Sequence, residues 1–287
     1  MKTKLPHQCT APIHSAIQRF QENGIKERYQ RYSGGSVDLS KGEDGIAVLT
    51  LNNPARMNAL TGTMGLELDD RLNELEEWTA GKGLIVRGAN NTFCSGTDLN
   101  SITVMRSSED GLEFVTHTQR MTTRLKRLPF ISVALVQGKA LGAGAELITA
   151  CDFRLMTPGS EICFLHKQVG IVPGWGGGAR LVQIVGGQQS LKLLSGALRM
   201  DPVKALNAGL IDDILPPDED RALEEAHHWL SQYTNAPAEI IQGLKKVISA
   251  GRELSIEEAL KIERNIFGTM WSSPVSLQAL AQAIKRK

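Results

Sequence analysis

Apolar positions along the chain fall into two alternating periods. Ile46-Ala47-Val48-Leu49-Thr50-Leu51 reads as a strand, closed by the turn signal Asn52-Asn53-Pro54. Met64, Leu68, Leu72 and Leu75 then recur at helical spacing and predict an amphipathic helix of about four turns. Gly83 to Gly88 and Ile131 to Val136 are further strand-like runs, with helix signals from Glu113 to Leu128 between them. Strand and helix in alternation predict βαβ crossovers and a mostly parallel sheet. After about Gln189 strand-like runs give way to helices broken at Pro202, Pro216-Pro217 and Pro237, and Ser255 with Glu258 forms a capping-box pattern. The expected organisation is an extension over 1–35, ending at Ser33-Gly34-Gly35, an α/β core over 36–190 and a helical region over 191–287.

Composition narrows the class. With 41% hydrophobic and 22% charged residues, the 287-residue chain is expected to be soluble and globular. Lys plus Arg number 32 against 31 for Asp plus Glu, which argues against a nucleic-acid partner held by bulk charge. A small basic site for a phosphorylated ligand remains compatible. No apolar run approaches the ~20 residues of a membrane span, so no membrane partner is expected. Cys9, Cys94, Cys151 and Cys163 form no C-x-x-C pair and fit free thiols in a reducing compartment. Glu22 and Glu27 among the first residues suit neither a signal nor a transit peptide, so the cytosol is the expected location. His and Cys show no ligand spacing, and no metal or redox cofactor is expected.

Three glycine-rich places are candidates for chemistry: Phe93 to Leu99, Gly138 to Glu146, and Gly170 to Gly178. The second follows a strand and opens a helix, where unpaired N–H groups and the helix dipole favour an anion. Each also has a plainer reading. The glycines suit tight connections, Asp98 a helix cap, Glu146 a favourable first-turn charge, His166 a satisfied partly buried histidine and Trp175 plain packing.

The order and spacing of these segments resemble the crotonase (enoyl-CoA hydratase/isomerase) superfamily. The resemblance rests on Asn53-Pro54 with Met57-Asn58-Ala59-Leu60, Phe93 to Leu99, Leu141 to Leu147, Cys151-Asp152, Gly170 to Gly177 and Ala205 to Ile211. It implies a crotonase-like ββα-superhelix core with a helical C-terminal region for oligomerisation or a lid. Longer stretches, among them 81–89, 131–138, 150–158 and 194–198, are similar to the branch that decarboxylates 2-carboxyacyl-CoA thioesters such as ethylmalonyl-CoA, and methylmalonyl-CoA less well.

That resemblance implies an acyl-CoA substrate, coenzyme A being part of the substrate, and a thioester enolate held by the N–H groups of Thr97 and Ala143. Ala143 stands where the family usually has glycine. Glu146 matches the first of the two glutamates of a hydratase, and His166 stands where the second would be, so a double-glutamate hydratase is not expected. Which of Glu146 and His166 delivers the proton stays open. Gly142, Ile171 and Trp175 are the implied pocket residues, the last two forming a desolvating wall for the substrate carboxylate. Arg56, Met57, Ala59, Asp98 and Leu99 are implied for coenzyme A, Arg56 as a cation for phosphate; Lys245 and Lys246 are weaker candidates. A homotrimer or hexamer is implied. The alternatives are a short-chain enoyl-CoA hydratase or isomerase, and a non-catalytic scaffold for assembly or RNA.

Overall fold

The computed structural model describes residues 27–102, 107–271, 273–274 and 276–278. Most of the expected N-terminal extension, Cys9 included, lies outside the described residues. The elements follow as β1 (Ser36–Lys41), β2 (Ile46–Asn52), α1 (Gly62–Glu76), β3 (Gly83–Gly88), α2 (Leu99–Ile102), α3 (Ser108–Arg127) and β4 (Ile131–Val136). Next come β5 (Lys139–Leu141), α4 (Ala143–Ile148), β6 (Phe153–Met156), β7 (Glu161–Cys163), a 3₁₀ turn (Leu165–Val169) and α5 (Gly177–Gly196), whose helix is interrupted at Gly186. The chain then forms β8 (Arg199–Met200), α6 (Pro202–Asn207), β9 (Asp213–Ile214), α7 (Glu219–Thr234), α8 (Ala238–Glu253) and α9 (Ile256–Met270).

Two sheets organise these elements. Six strands run in the order β1-β2-β3-β4-β6-β9, and β5-β7-β8 form a smaller sheet. β1 pairs antiparallel with β2, while every other pair of the large sheet is parallel. The continuous apolar runs of β3 and β4 follow from burial on both faces. Leu84, Val86, Ala134 and Val136 face one core with Leu68, Leu72 and Leu75 of α1. Ile85, Val133 and Leu135 face a second core closed by Ala226 and Leu230 of α7.

Helix starts obey local chemistry. Thr61 caps α1 by accepting from the Met64 N–H, and capping boxes open α3 (Ser107, Asp110) and α9 (Ser255, Glu258). Pro202 occupies the first turn of α6 behind Asp201, and Pro237 immediately precedes α8. Those prolines start helices as much as they break them.

The expectation of a strand-free C-terminal region needs correction. Arg199–Met200 joins the small sheet and Asp213–Ile214 the large one. Two-residue strands are too short to show any period. α5 also runs through the boundary drawn at 190. α8 is tied to the core by a buried ion pair from Lys245 to Asp152, whose carboxylate also accepts from Ser132 N at 2.9 Å and Ser132 Oγ at 3.0 Å. Lys245 is therefore engaged with Asp152 and not available as the phosphate ligand considered above. Replacing Lys245 by Met leaves that carboxylate only the longer contact with Arg252 at 3.7 Å, and urea unfolding should register a loss of about 3 kcal/mol.

Candidate active site

Three segments distant in the chain meet at one place. The first is pinned by Asn58, whose Oδ1 accepts from Asn53 N at 2.8 Å while its Nδ2 donates to the carbonyls of Ala89 (2.8 Å) and Thr92 (2.6 Å). Residues 94–98 then run between two neighbours. Cys94 N donates to Lys139 O and Leu141 N to Cys94 O on one side; Leu60 N donates to Gly96 O and Asp98 N to Leu60 O on the other. That arrangement sets Thr97 beside the start of α4. Gly96 takes a φ of 110°, and a Cβ on it would lie 3.3 Å from the Ala143 nitrogen, so the two backbones touch. Among the described residues, neither the Thr97 nor the Ala143 N–H has an acceptor. For Ala143 the reason is its place at the first position of a helix.

The second segment carries Glu146, one turn into α4 and 1% exposed. Its Oε1 accepts from Gly174 N at 3.2 Å, and its Oε2 from Trp175 N and Gly177 N, each at 2.8 Å. Gly177 opens α5, so the carboxylate sits at a helix N-terminus, where partial positive charge gathers. The glycine at 177 is a steric requirement. A Cβ there would stand 2.5 Å from Glu146 Cγ and 2.6 Å from its Cβ.

The third segment brings His166. Parallel pairing of β5 with β7 puts Leu141 opposite Cys163, and the 3₁₀ turn that follows swings the imidazole onto Glu146. His166 Nε2 lies 2.8 Å from Glu146 Oε1, in a pair 20 residues apart in sequence. Since both carboxylate oxygens accept main-chain N–H groups, the bond to His166 runs from Nε2–H. Its Nδ1 is buried and has no partner among the described residues.

The expected pocket residues divide. Gly142 caps α4 and donates its N–H to Cys163 O at 2.9 Å. Trp175 is buried, its ring edge-on to Phe114 at 6.5 Å. Ile171 is 56% exposed in the single chain.

The residues expected for coenzyme A divide as well. Arg56 and Asp98 form an ion pair beside a cleft of about 190 Å³ that Arg31, Tyr32, Thr61 and Ser101 also line. Asp98 is buried, and its Oδ1 accepts from Asn100 N at 2.8 Å, so its carboxylate caps α2 and holds Arg56. Met57 and Leu99 are exposed. Ala59 is buried, and its carbonyl takes the Asn53 side chain at 2.9 Å. Lys246 is exposed and lines a separate cleft of about 760 Å³ between α8 and α9.

The chain matches the enoyl-CoA hydratase/isomerase family over residues 41–282. It belongs to that family. It is 54% identical over 285 residues to the ethylmalonyl-CoA decarboxylase of Gallus gallus, covering 99% of this chain and 96% of that protein. The ethylmalonyl-CoA decarboxylase of Homo sapiens is 53% identical over 282 residues, covering 98% and 92%. Solved structures of the family share the fold. An enoyl-CoA hydratase from Bacillus anthracis superposes with a TM-score of 0.80 at 24% identity, over 87% of this chain and 96% of that one. A putative enoyl-CoA hydratase from Streptomyces coelicolor A3(2) gives 0.80 at 27%, over 88% and 92%.

Within this enoyl-CoA hydratase/isomerase family member, sequence reasoning passed over Arg180, which reaches back from α5 to the Glu146 and Trp175 carbonyls. A lone arginine inside a helix gives no signal without its partners. The thiols beside the site are inert: burial pushes both Cys94 and Cys151 up to about 12. Near neutral pH the folded chain should therefore leave both unlabelled by a disulfide reagent, mass spectrometry finding the label only after denaturation. Gly177→Ala should be overpacked against Glu146 and lose about 1–3 kcal/mol in thermal unfolding.

Proposed function

We propose that this chain decarboxylates ethylmalonyl-CoA to butyryl-CoA, with methylmalonyl-CoA a poorer substrate. The observation that carries the reading is the match to ethylmalonyl-CoA decarboxylases at 51–54% identity over nearly the whole of both chains. The electron pair of the bond from C2 to the carboxylate moves into the thioester carbonyl, and CO₂ leaves. The resulting enolate oxygen is received by the N–H groups of Thr97 and Ala143. One such donor is worth roughly 3–4 kcal/mol in a transition state. C2 then takes a proton to give butyryl-CoA, and solvent restores that proton to the protein.

The buried pair supports His166 as the donor. Glu146 has every position around its carboxylate taken by a donor, whereas the Nδ1 of His166 has no partner among the described residues. Glu146 then orients the imidazole and stabilises its cation, the task a carboxylate performs for a catalytic histidine. A hydratase working with two carboxylates has no counterpart in this pair.

Arg56 suits the coenzyme A phosphates at the rim of its cleft, where Met57 and Leu99 are exposed to the pantetheine chain. A homotrimer or hexamer is supported by apolar side chains left in solvent on α8 and α9, including Leu244, Ile248, Ile256 and Phe267. The buried free thiols fit the cytosol.

The test is CO₂ release from ethylmalonyl-CoA in deuterated water. The parent should place one deuterium at C2 in a single configuration. His166→Gln should lose about 10²- to 10⁴-fold in kcat and give product of mixed configuration; Glu146→Gln should lose activity while keeping the configuration. Full activity in both variants sinks the acid assignment, and a preference for hydrating crotonyl-CoA sinks the decarboxylase reading.

A further inference from the structure

Arg180 is buried on the first turn of α5 and has no carboxylate within ion-pair distance among the described residues. Its guanidinium instead holds four neutral acceptors. Nε donates to Thr149 Oγ1 at 2.9 Å and Nη1 to Thr122 Oγ1 at 3.2 Å, while Nη2 donates to the carbonyls of Trp175 (2.8 Å) and Glu146 (3.2 Å). Desolvating a cation without a counter-ion in contact costs stability, so its retention at this place calls for a gain elsewhere. The partners show where. Trp175 gives its N–H to the Glu146 carboxylate and its carbonyl to Arg180, and Glu146 gives its own carbonyl to the same guanidinium.

We propose that Arg180 is a positioning residue for the reaction. It closes a ring through Trp175 and the Glu146 backbone that aims the Glu146 carboxylate at His166. The proposal rests on the functional reading above for its catalytic consequence, not for its geometry. Burial draws the guanidinium down to about 10, and the field of Glu146 opposes that fall, so the two charges act on each other without touching. The other titratable groups facing Arg180 are few. Cys151, beyond α4, is held neutral by burial, and Lys126 of α3 is pulled down chiefly by its own burial.

Arg180→Met removes both the fork and the charge, and Arg180→Lys keeps the charge alone. The Nε2–H resonance of His166 in the substrate-free protein, assigned through His166→Gln, reports its hydrogen bond to Glu146 directly. In both variants that resonance should move upfield or broaden away, and kcat on ethylmalonyl-CoA should fall at least about tenfold with KM changed less than about threefold, through lost alignment of the pair. An unmoved resonance in both, or parental kcat in Arg180→Lys, overturns the proposal. Should Arg180→Met fail to fold, the lysine variant decides alone. Equal losses of stability in both with resonance and kcat unchanged would mark a purely structural arginine. A resonance that moves in a protein inactive on ethylmalonyl-CoA upholds the Arg180 inference and discards the decarboxylase reading.

Discussion

One carboxylate buried away from water organises the surrounding structure. Glu146 is 1% exposed, and a charge so placed must be met by donors on every side. Three are main-chain N–H groups from 174–177, which obliges that loop to wrap the carboxylate at van der Waals distance. Gly177 follows from that approach, since any side chain there would occupy the space of Glu146 itself. Thr122 of α3 and Arg180 of α5 hold the Trp175 carbonyl from behind, so two helices serve one acidic group.

The same constraint separates binding from proton transfer. The amides of Thr97 and Ala143 come from different segments and are brought together by ladder bonds along 94–98 and by the start of α4. They can stabilise developing negative charge without any side chain. In the proposed mechanism the side chains are left to handle protons, with His166 as the donor. A fold shared with enoyl-CoA hydratases at a TM-score of 0.80 therefore accommodates a different reaction through a few positions.

Much of the fold was legible in the linear pattern. β2, β3, β4 and α1 appear where periodicity puts them, because each is long enough to repeat and buries a continuous face. The capping box at Ser255 and Glu258 is equally local. β5, β7, β8 and β9 were not legible. Each has only two or three residues, and their pairing is decided by partners far along the chain. Of the site, the glycine-rich segments and the pair Glu146 and His166 could be named from motif order. The fate of Asp98 as a buried partner of Arg56, of Lys245 as a partner of Asp152 and of Ala59 as a core residue could not. A charge in a sequence is the same letter whether solvated or paired.

The sequence by itself determined the α/β class, the family and the residues available for chemistry, since these depend on local spacing and on side-chain type. Only the tertiary structure decided which of those residues meet. Hydrogen bonding is directional and short-ranged, so the saturated carboxylate of Glu146, the buried guanidinium of Arg180 held by neutral acceptors, and the Nδ1 of His166 without a partner among the described residues exist only once three distant segments are packed together.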